Sequence, residues 1–348
     1  MSDRLRLAIF GCGAITCDYH LPAAVAHPDV RVAALVDSNV NRAQDLGRLY
    51  GLDCKFTADY KSVLGEVDAL INALPNSLHT PVNLEAFHAG VHVLCEKPLA
   101  ITAADARTCC EVAERSGLVL AIGMQRRFHA NHRLLRLALD EGMLGPLQGY
   151  DWEDGTSWDW GTKSGFYFSR AEAGGGVLMD YGVHLLDSVV DWFGPVSRFE
   201  YQDDNWGGGI EANVILALQH NGPYGNLSGR IRLSRTYNLK NRLSVWGEAA
   251  RFEMPRGELD SLVLFRRISE QEVSMTLRFS NGQESEAASP YYAQLDNFVA
   301  SIHGRQRPLA DGRQALAIIQ LIEECYAKAR RIAEPWVEIG EAASKASA

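Results

Sequence analysis

The 348-residue chain contains no apolar run approaching the roughly 18 consecutive residues of a membrane span. The short apolar stretch ending at Phe10 is too brief for the core of a secretory signal, and no small-residue cleavage site follows it, so a cytoplasmic location is expected. Basic residues are in deficit. The 34 Lys and Arg against 43 Asp and Glu leave a net charge of −9, which lacks the cationic footprint that a phosphate backbone requires. Neither a membrane nor a nucleic-acid partner is expected. The seven cysteines, an odd number, form no C-x-x-C pair, and the adjacent Cys109 and Cys110 would point different ways on a helix. Reduced thiols and no metal site are therefore expected. Internal repeats and low-complexity tracts are also missing. What is present is ordinary globular composition, 47% hydrophobic and 22% charged, in a chain long enough for two domains.

Over residues 1–125, continuous apolar runs alternate with amphipathic stretches. Strands are predicted at 5–10, 30–36, 67–73, 91–94 and 118–122, and helices at 39–50, 77–90 and 102–117. This is the pattern of a parallel sheet covered on both faces. Pro22 is expected to break or kink the first helix. Thr102 is a candidate N-cap and Gly117 a candidate C-terminal glycine for the helix over 102–117. Beyond Gln125 the rhythm changes. Helices at 132–141 and 177–193 flank a loop rich in Trp and Gly, and strand-like segments follow at 210–219, 226–233, 243–246, 262–267 and 273–279. Asn221-Gly222 and Asn281-Gly282 are hairpin-type turn signals, so an antiparallel sheet is expected. Helices at 292–303 and 314–332 precede a polar tail over 336–348. The division is a parallel α/β domain over 1–125 and an α+β domain over 126–335.

Gly11-Cys12-Gly13-Ala14-Ile15-Thr16 follows the first strand and opens the first helix. The first glycine permits the tight turn, and the second lets a pyrophosphate approach backbone at a helix N-terminus. Asp37 ends the second strand 24 positions after Gly13, the spacing of a carboxylate that meets an adenosine ribose. A plain strand-to-helix turn would explain the glycines alone, but not the carboxylate. Gly11, Gly13, Ala14, Ile15, Thr16 and Asp37 are thus expected to hold a dinucleotide. The acid favours NAD because it repels a 2′-phosphate, while Ser38 and Arg42 beside it leave NADP possible.

Two further segments carry polar groups. In Cys95-Glu96-Lys97-Pro98, Lys97 follows a strand and would enter the crevice at the strand ends, unless it only pairs with Glu96 at the surface. In the run from Gly174 to Asp191, Asp180, His184, Asp187 and Asp191 form one polar stripe on an otherwise apolar helix. Such a stripe faces either solvent or a cleft, and the width of the apolar arc favours a cleft. Asp180 and His184, at i and i+4, are expected to touch, fixing the imidazole tautomer and raising its basicity. Tyr150, Trp152, Trp158, Trp160, Phe166, Tyr167 and Phe168 crowd the preceding segment, as core or as an apolar face for a ligand. Lys163 and Arg170 there are either anion contacts or solvated loop charges.

Gly11-x-Gly13-x-Ile15, Pro75-Asn76-x-x-His79, Glu96-Lys97-Pro98, Arg127-Phe128 and the Gly-Gly-Gly-x-Leu-x-Asp-x-Gly-x-His run ending at His184 together resemble the glucose–fructose oxidoreductase / inositol dehydrogenase / rhizopine catabolism family. The resemblance covers nearly the whole chain, with its strong motifs before Gly194. It implies an N-terminal Rossmann domain followed by an α+β domain with a large open, mainly antiparallel sheet, often used for homodimer or homotetramer contacts. It also implies NAD(P)-dependent hydride transfer at a secondary alcohol or ketone carbon of a sugar, sugar derivative or cyclitol. Lys97, Asp180 and His184 correspond to the family's catalytic residues. Pro75, Asn76 and His79 would border the cofactor, with Glu96 near the nicotinamide ribose and Gln125 on the same side. Arg127, Trp160 and Tyr167 would join Lys97, Asp180 and His184 around the substrate. His184, oriented by Asp180, is then the candidate base, and Lys97 either stabilises the alkoxide or carries the proton itself. Thr16 departs from the family's usual third glycine or alanine. An NAD-using glycosidase on the same fold and a non-catalytic NAD-binding sensor are the competing readings, the latter weakened by the intact catalytic trio.

Overall fold

The computed structural model describes residues 4–157, 165–205, 210–280 and 289–333. Two sheets dominate it. The first holds β1 (Leu5–Phe10), β2 (Val30–Val36), β3 (Lys55–Thr57), β4 (Ala69–Asn72), β5 (His92–Cys95) and β6 (Leu120–Ile122), all parallel, in the order β3-β2-β1-β4-β5-β6. Between them run α1 (Leu21–Ala26), α2 (Val40–Leu49), α3 (Lys61–Leu64), α4 (His79–His88) and α5 (Ala103–Arg115). The chain winds outward from β1 to β3, then returns to β4 and winds the other way. That reversal opens a crevice at the carboxyl ends of β1 and β4, where such sheets bind ligands.

The continuous apolar runs become strands because helices cover both faces. In β1, Leu7 and Ile9 pack into one core and Ala8 and Phe10 into the other. The strand β3 escapes sequence reading because it is three half-buried residues paired only with β2 at the edge. Pro22 does not break its helix. A π-helical turn over Thr16–His20 runs into α1, with Leu21 N–H bonded to the Thr16 carbonyl, and Pro22 sits in the first turn of α1 where its missing donor matters least. Thr102 caps α5 by accepting the Asp105 N–H, and Gly117 beyond its end has φ +66°, both as expected.

The second sheet holds β7 (Leu147–Gly155), β8 (Val196–Asp203), β9 (Asn213–Gly222), β10 (Gly225–Ser234), β11 (Arg242–Gly247), β12 (Arg251–Pro255), β13 (Leu262–Ile268), β14 (Gln271–Leu277) and β15 (Arg330–Arg331). Its order is β14-β13-β12-β11-β7-β10-β9-β8-β15, antiparallel except where β7 meets β10 and β8 meets β15. The β9–β10 hairpin turns at Pro223-Tyr224, because Asn221 and Gly222 are still paired across the ladder. Asn281-Gly282 lies outside the described residues. The accompanying helices are α6 (Ala130–Asp140), α7 (Arg170–Ala173), α8 (Val183–Phe193), α9 (Pro290–Ile302) and α10 (Gly312–Ala327). α10 stops five residues before the expected end, and the chain then joins the sheet edge as β15.

The packing crosses the sequence division. Leu295, Phe298 and Val299 of α9 share a core with Leu7, Ile9, Leu35 and Ile71 of the first sheet. α10, started by a capping box at Asp311 and Gln314, packs against both α5 and α8. No helix among the described residues is long and apolar enough to cross a membrane.

Candidate active site

A cavity of about 560 Å³ lies between the carboxyl ends of the parallel strands and the near end of the second sheet. One end is built by the glycine turn. Gly11 has φ +91°, and a Cβ there would sit 2.4 Å from the Ala73 carbonyl oxygen, so only glycine makes this turn. A Cβ on Gly13 would meet nothing within 4 Å, which leaves the helix N-terminus open to an anion. Asp37 is already set: one carboxylate oxygen accepts the Cys12 N–H at 2.9 Å and the other the Asn39 N–H at 2.8 Å. Ala14, Ile15, Ser38 and Arg42 line the same end. A bare amide turn with a preset carboxylate fits a dinucleotide. Thr16 is a correction: it is fully buried and outside the cavity, and its hydroxyl donates to the Gly11 carbonyl at 2.5 Å. The third position therefore braces the turn from within and is no part of the cavity wall.

Pro75, Asn76, His79, Glu96 and Gln125 line the middle of the cavity. The Asn76 amide donates to the Ala173 carbonyl at 2.9 Å, tying the loop after β4 to the triple-glycine segment. His79 is buried between the Pro98 carbonyl at 2.6 Å and the Leu74 carbonyl at 2.8 Å, and burial pushes its pKa down. Glu96 forms no pair with the Lys97 ammonium. Its carboxylate meets His20 Nε2 at 2.8 Å and the Lys97 N–H at 3.2 Å. Burial would raise the Glu96 pKa, but His20 and Lys97 outweigh it and hold the carboxyl below its ordinary range.

The far end gathers the charges. Lys97 Nζ donates to Asp180 Oδ1 at 2.8 Å and to the Asp180 carbonyl at 2.7 Å, while Arg235 pairs with the other carboxylate oxygen. Burial would discharge Lys97, yet Asp180 raises its pKa above the ordinary lysine value. Against the same burial, Lys97 and Arg235 keep Asp180 below the ordinary aspartate value. His184 lines the cavity beside them. Burial first, then the charges of Lys97 and Arg126, push its pKa well below 6.5, so the ring is neutral.

The expected Asp180–His184 contact does not form. The carboxylate is held by two cations, which outbid a neutral ring, and His184 Nδ1 is buried with no hydrogen-bond partner among the described residues. The polar stripe also divides. Asp180, in the π-helical turn Leu178–Gly182, and His184, at the start of α8, face the cavity, whereas Asp187 and Asp191 turn to Arg127. Arg127 is accordingly corrected: it is buried in that ion pair and does not line the cavity. Trp160, with Trp158 and Lys163, lies outside the described residues. Phe166 and Tyr167 line the cavity, and burial raises the Tyr167 pKa. Tyr150 and Trp152 are core, Phe168 is exposed, and Arg170 stacks on Tyr326 away from this cavity.

Sequence reading missed Arg235, Asp154, Tyr181, Ser234, Arg256 and Tyr291, all in the cavity wall. Tyr181 donates to Asp154 at 2.6 Å, and Arg256 lies 3.2 Å from the same carboxylate. Tyr181, next to Asp180, was within reach of inspection. The others arrive from strand ends and from α9, which no local pattern marks. The triple glycine has a packing cause: a Cβ on Gly176 would lie 2.0 Å from the Glu211 carbonyl oxygen, and the Glu211 carboxylate accepts the N–H groups of Gly176 and Leu178. No cluster of His, Cys, Asp or Glu able to hold a metal occurs among the described residues.

Comparison with known proteins agrees with this fold. Residues 5–124 match the family model "Oxidoreductase family, NAD-binding Rossmann fold", and residues 139–339 match "Oxidoreductase family, C-terminal alpha/beta domain". The chain belongs to the Gfo/Idh/MocA oxidoreductase family. As a Gfo/Idh/MocA protein it is an NAD(P)-dependent oxidoreductase with a Rossmann cofactor domain. It is 33% identical to the D-glucoside 3-dehydrogenase of Escherichia coli (strain K12), over 54% of either chain, so that match spans about half of each. A dTDP-3,4-didehydro-2,6-dideoxy-alpha-D-glucose 3-reductase of Streptomyces antibioticus is 32% identical over 73% of this chain and 76% of its own. Among solved structures, the aldose-aldose oxidoreductase of Caulobacter crescentus with glycerol superposes with a TM-score of 0.81 at 25% identity, covering 93% of this chain and 97% of that one.

Proposed function

We propose that this protein is an NAD-preferring dehydrogenase or ketoreductase acting on a secondary alcohol or ketone carbon of a sugar, sugar derivative or cyclitol. The observation that carries the reading is the convergence of Lys97, Asp180 and His184 in the cavity that also holds Gly13 and Asp37. The sugar chemistry named for the relatives above supports the substrate class.

NAD supplies the hydride acceptor in oxidation, and NADH the donor in reduction. The protein's own residues handle the oxygen and its proton. Lys97 stays an ammonium because Asp180 holds it so, and it donates a hydrogen bond to the substrate oxygen as negative charge develops. His184 is neutral and accepts the hydroxyl proton, returning it when the direction reverses. Asp180, fixed by two cations, orients Lys97 and takes no proton. Phe166 and Tyr167 offer an apolar face to a ring, while Asp154, Arg256 and Ser234 offer partners for its other hydroxyls. Preference for NAD follows from Asp37, whose two N–H contacts stop it swinging aside for a 2′-phosphate. In this reading residues 1–125 bind the cofactor, and residues 126–335 bind substrate and assemble a cytoplasmic homodimer or homotetramer.

The test is incubation with NAD or NADP and a panel of free, phosphorylated and nucleotide-linked sugars and cyclitols, followed by nicotinamide absorbance. Lys97→Ala and His184→Ala are expected to lower turnover by roughly two to four decades with NAD affinity nearly unchanged. Wild-type turnover in both variants would refute the assignment. Release of an aglycone without net NADH would indicate the glycosidase, and NAD binding without turnover across the panel would indicate the sensor.

A further inference from the structure

With Asp180 committed to Lys97 and Arg235, no side chain among the described residues holds the His184 ring by a hydrogen bond to Nδ1. Its position must come from its helix. One turn after His184 on α8, Asp187 meets Arg127 in a two-pronged contact: Nε to Oδ2 at 2.8 Å and Nη2 to Oδ1 at 2.7 Å. The remaining prong, Nη1, donates to the Leu309 carbonyl at 2.8 Å and to Gln314 Oε1 at 3.2 Å, and lies 3.2 Å from Asp191 Oδ1. The paired side chains are only 4% and 2% exposed.

We propose that Arg127 is the positioning residue for His184, setting the imidazole through the backbone of α8 where a carboxylate on the ring was expected. This rests on the reading of His184 as the proton acceptor. Arg127 belongs to the short turn Gln125–Phe128, and Gln125 of that turn lines the cofactor cavity. One rigid turn therefore touches the cofactor's wall with one side chain and grips the catalytic helix with another. A planar guanidinium fixes angle as well as distance, which a lysine ammonium does not. A buried pair of this kind adds little net stability over an apolar pair of similar volume, whereas its directionality is not replaceable. Because Asp187 lies one turn from His184, tilting α8 at this anchor moves the ring, and displacement by about 1 Å is enough to lower turnover by roughly a hundredfold.

The experiment uses the full chain in two variants, Arg127→Lys and the double substitution R127M/D187L. The second replaces the pair with apolar side chains, so it tests the idea even if the first folds poorly. Turnover, KM and NAD affinity are measured with a sugar that the wild type oxidises, and the His184 ring resonance is followed by NMR with and without NAD. Both variants are expected to lose about tenfold to a hundredfold in kcat. NAD affinity and KM should stay within about twofold of wild type, and the His184 resonance should move. A merely structural role would lower the melting temperature and leave kcat of the folded protein intact. The proposal is overturned if R127M/D187L folds, keeps wild-type kcat and shows an unmoved resonance. If the wild type oxidises nothing in the panel, the reading of His184 fails. The resonance still decides whether Arg127 holds the ring, moved in support and unmoved against.

Discussion

Lys97 helps to set the protonation of His184. Burial alone would discharge both, but Asp180 restores the charge on Lys97, and that charge drives His184 further toward neutrality. The oxidation rate of the wild type is therefore expected to hold steady as pH falls through 6.5, the ordinary histidine value, and to drop only well below it. In Lys97→Met, with the ammonium gone, the acid limb of the residual rate should move up toward 6.5. A pH–rate profile checks both, and a limb at the same pH in the two proteins would contradict the coupling. The placement of Lys97 was legible only in part: the end of a buried parallel strand opens on the ligand crevice, but a surface pair with Glu96 fitted the sequence as well. Its partners were not legible. Arg235 lies 55 residues from Asp180, and Arg127 lies 60 from Asp187, separations at which periodicity says nothing. Arg127 in particular looks from sequence like any charged residue near a site, and only its buried carboxylate partner shows otherwise.

Among the elements, the glycine turn separates cofactor binding from folding. Gly13→Val puts its side chain into open space, so its melting temperature should stay near wild type while NAD affinity falls by tenfold or more, roughly 1.4 kcal/mol at the least. Gly11→Ala meets the Ala73 carbonyl and an unfavourable φ, so there the melting temperature should fall as well. Thermal melts with NAD titrations distinguish the two, and a destabilised Gly13→Val would remove the distinction. The same turn shows what the sequence could reveal. Five of the six parallel strands were readable as strongly apolar runs, broken only by single polar residues such as Arg6 and Arg31, since both faces are covered. β3 was not, being too short and too exposed to carry the pattern. The second sheet was legible as strands and turns, but the π-helical turn before α8 was not. Nothing in Leu178–Gly182 signals that Asp180 will be drawn to cations from two other elements.

At the scale of the whole molecule, His79, His92, His129, His132, His184 and His220 all have pKa values lowered chiefly by burial, that of His129 to about 4. Each stays neutral in the folded chain at pH values where the unfolded chain takes up a proton. Their contribution to stability is thus complete above pH 6.5 and is lost as pH falls below it; for His129 the loss runs down to about pH 4 and amounts to roughly 3 kcal/mol. Melting temperature should decline steadily between pH 7 and pH 5. A flat profile over that interval would contradict the burial of these rings. The carboxylates act lower down: burial would raise the Asp191 pKa, but His132, Arg127 and Arg136 bring it to about 2, so its share is lost only between about pH 4 and pH 2.

The seating of α9 on the first sheet bears on how this architecture can be taken apart. Leu295, Phe298 and Val299 shield Leu7, Ile9 and Leu35, and Tyr291 of the same helix reaches the cavity wall. Cutting after residue 125 would strip that covering and bare a greasy flank of the nucleotide-binding half. Anyone swapping this half into another protein must carry the distant helix over 290–302 along with it, since the gene's order is not the order in which the halves are sealed.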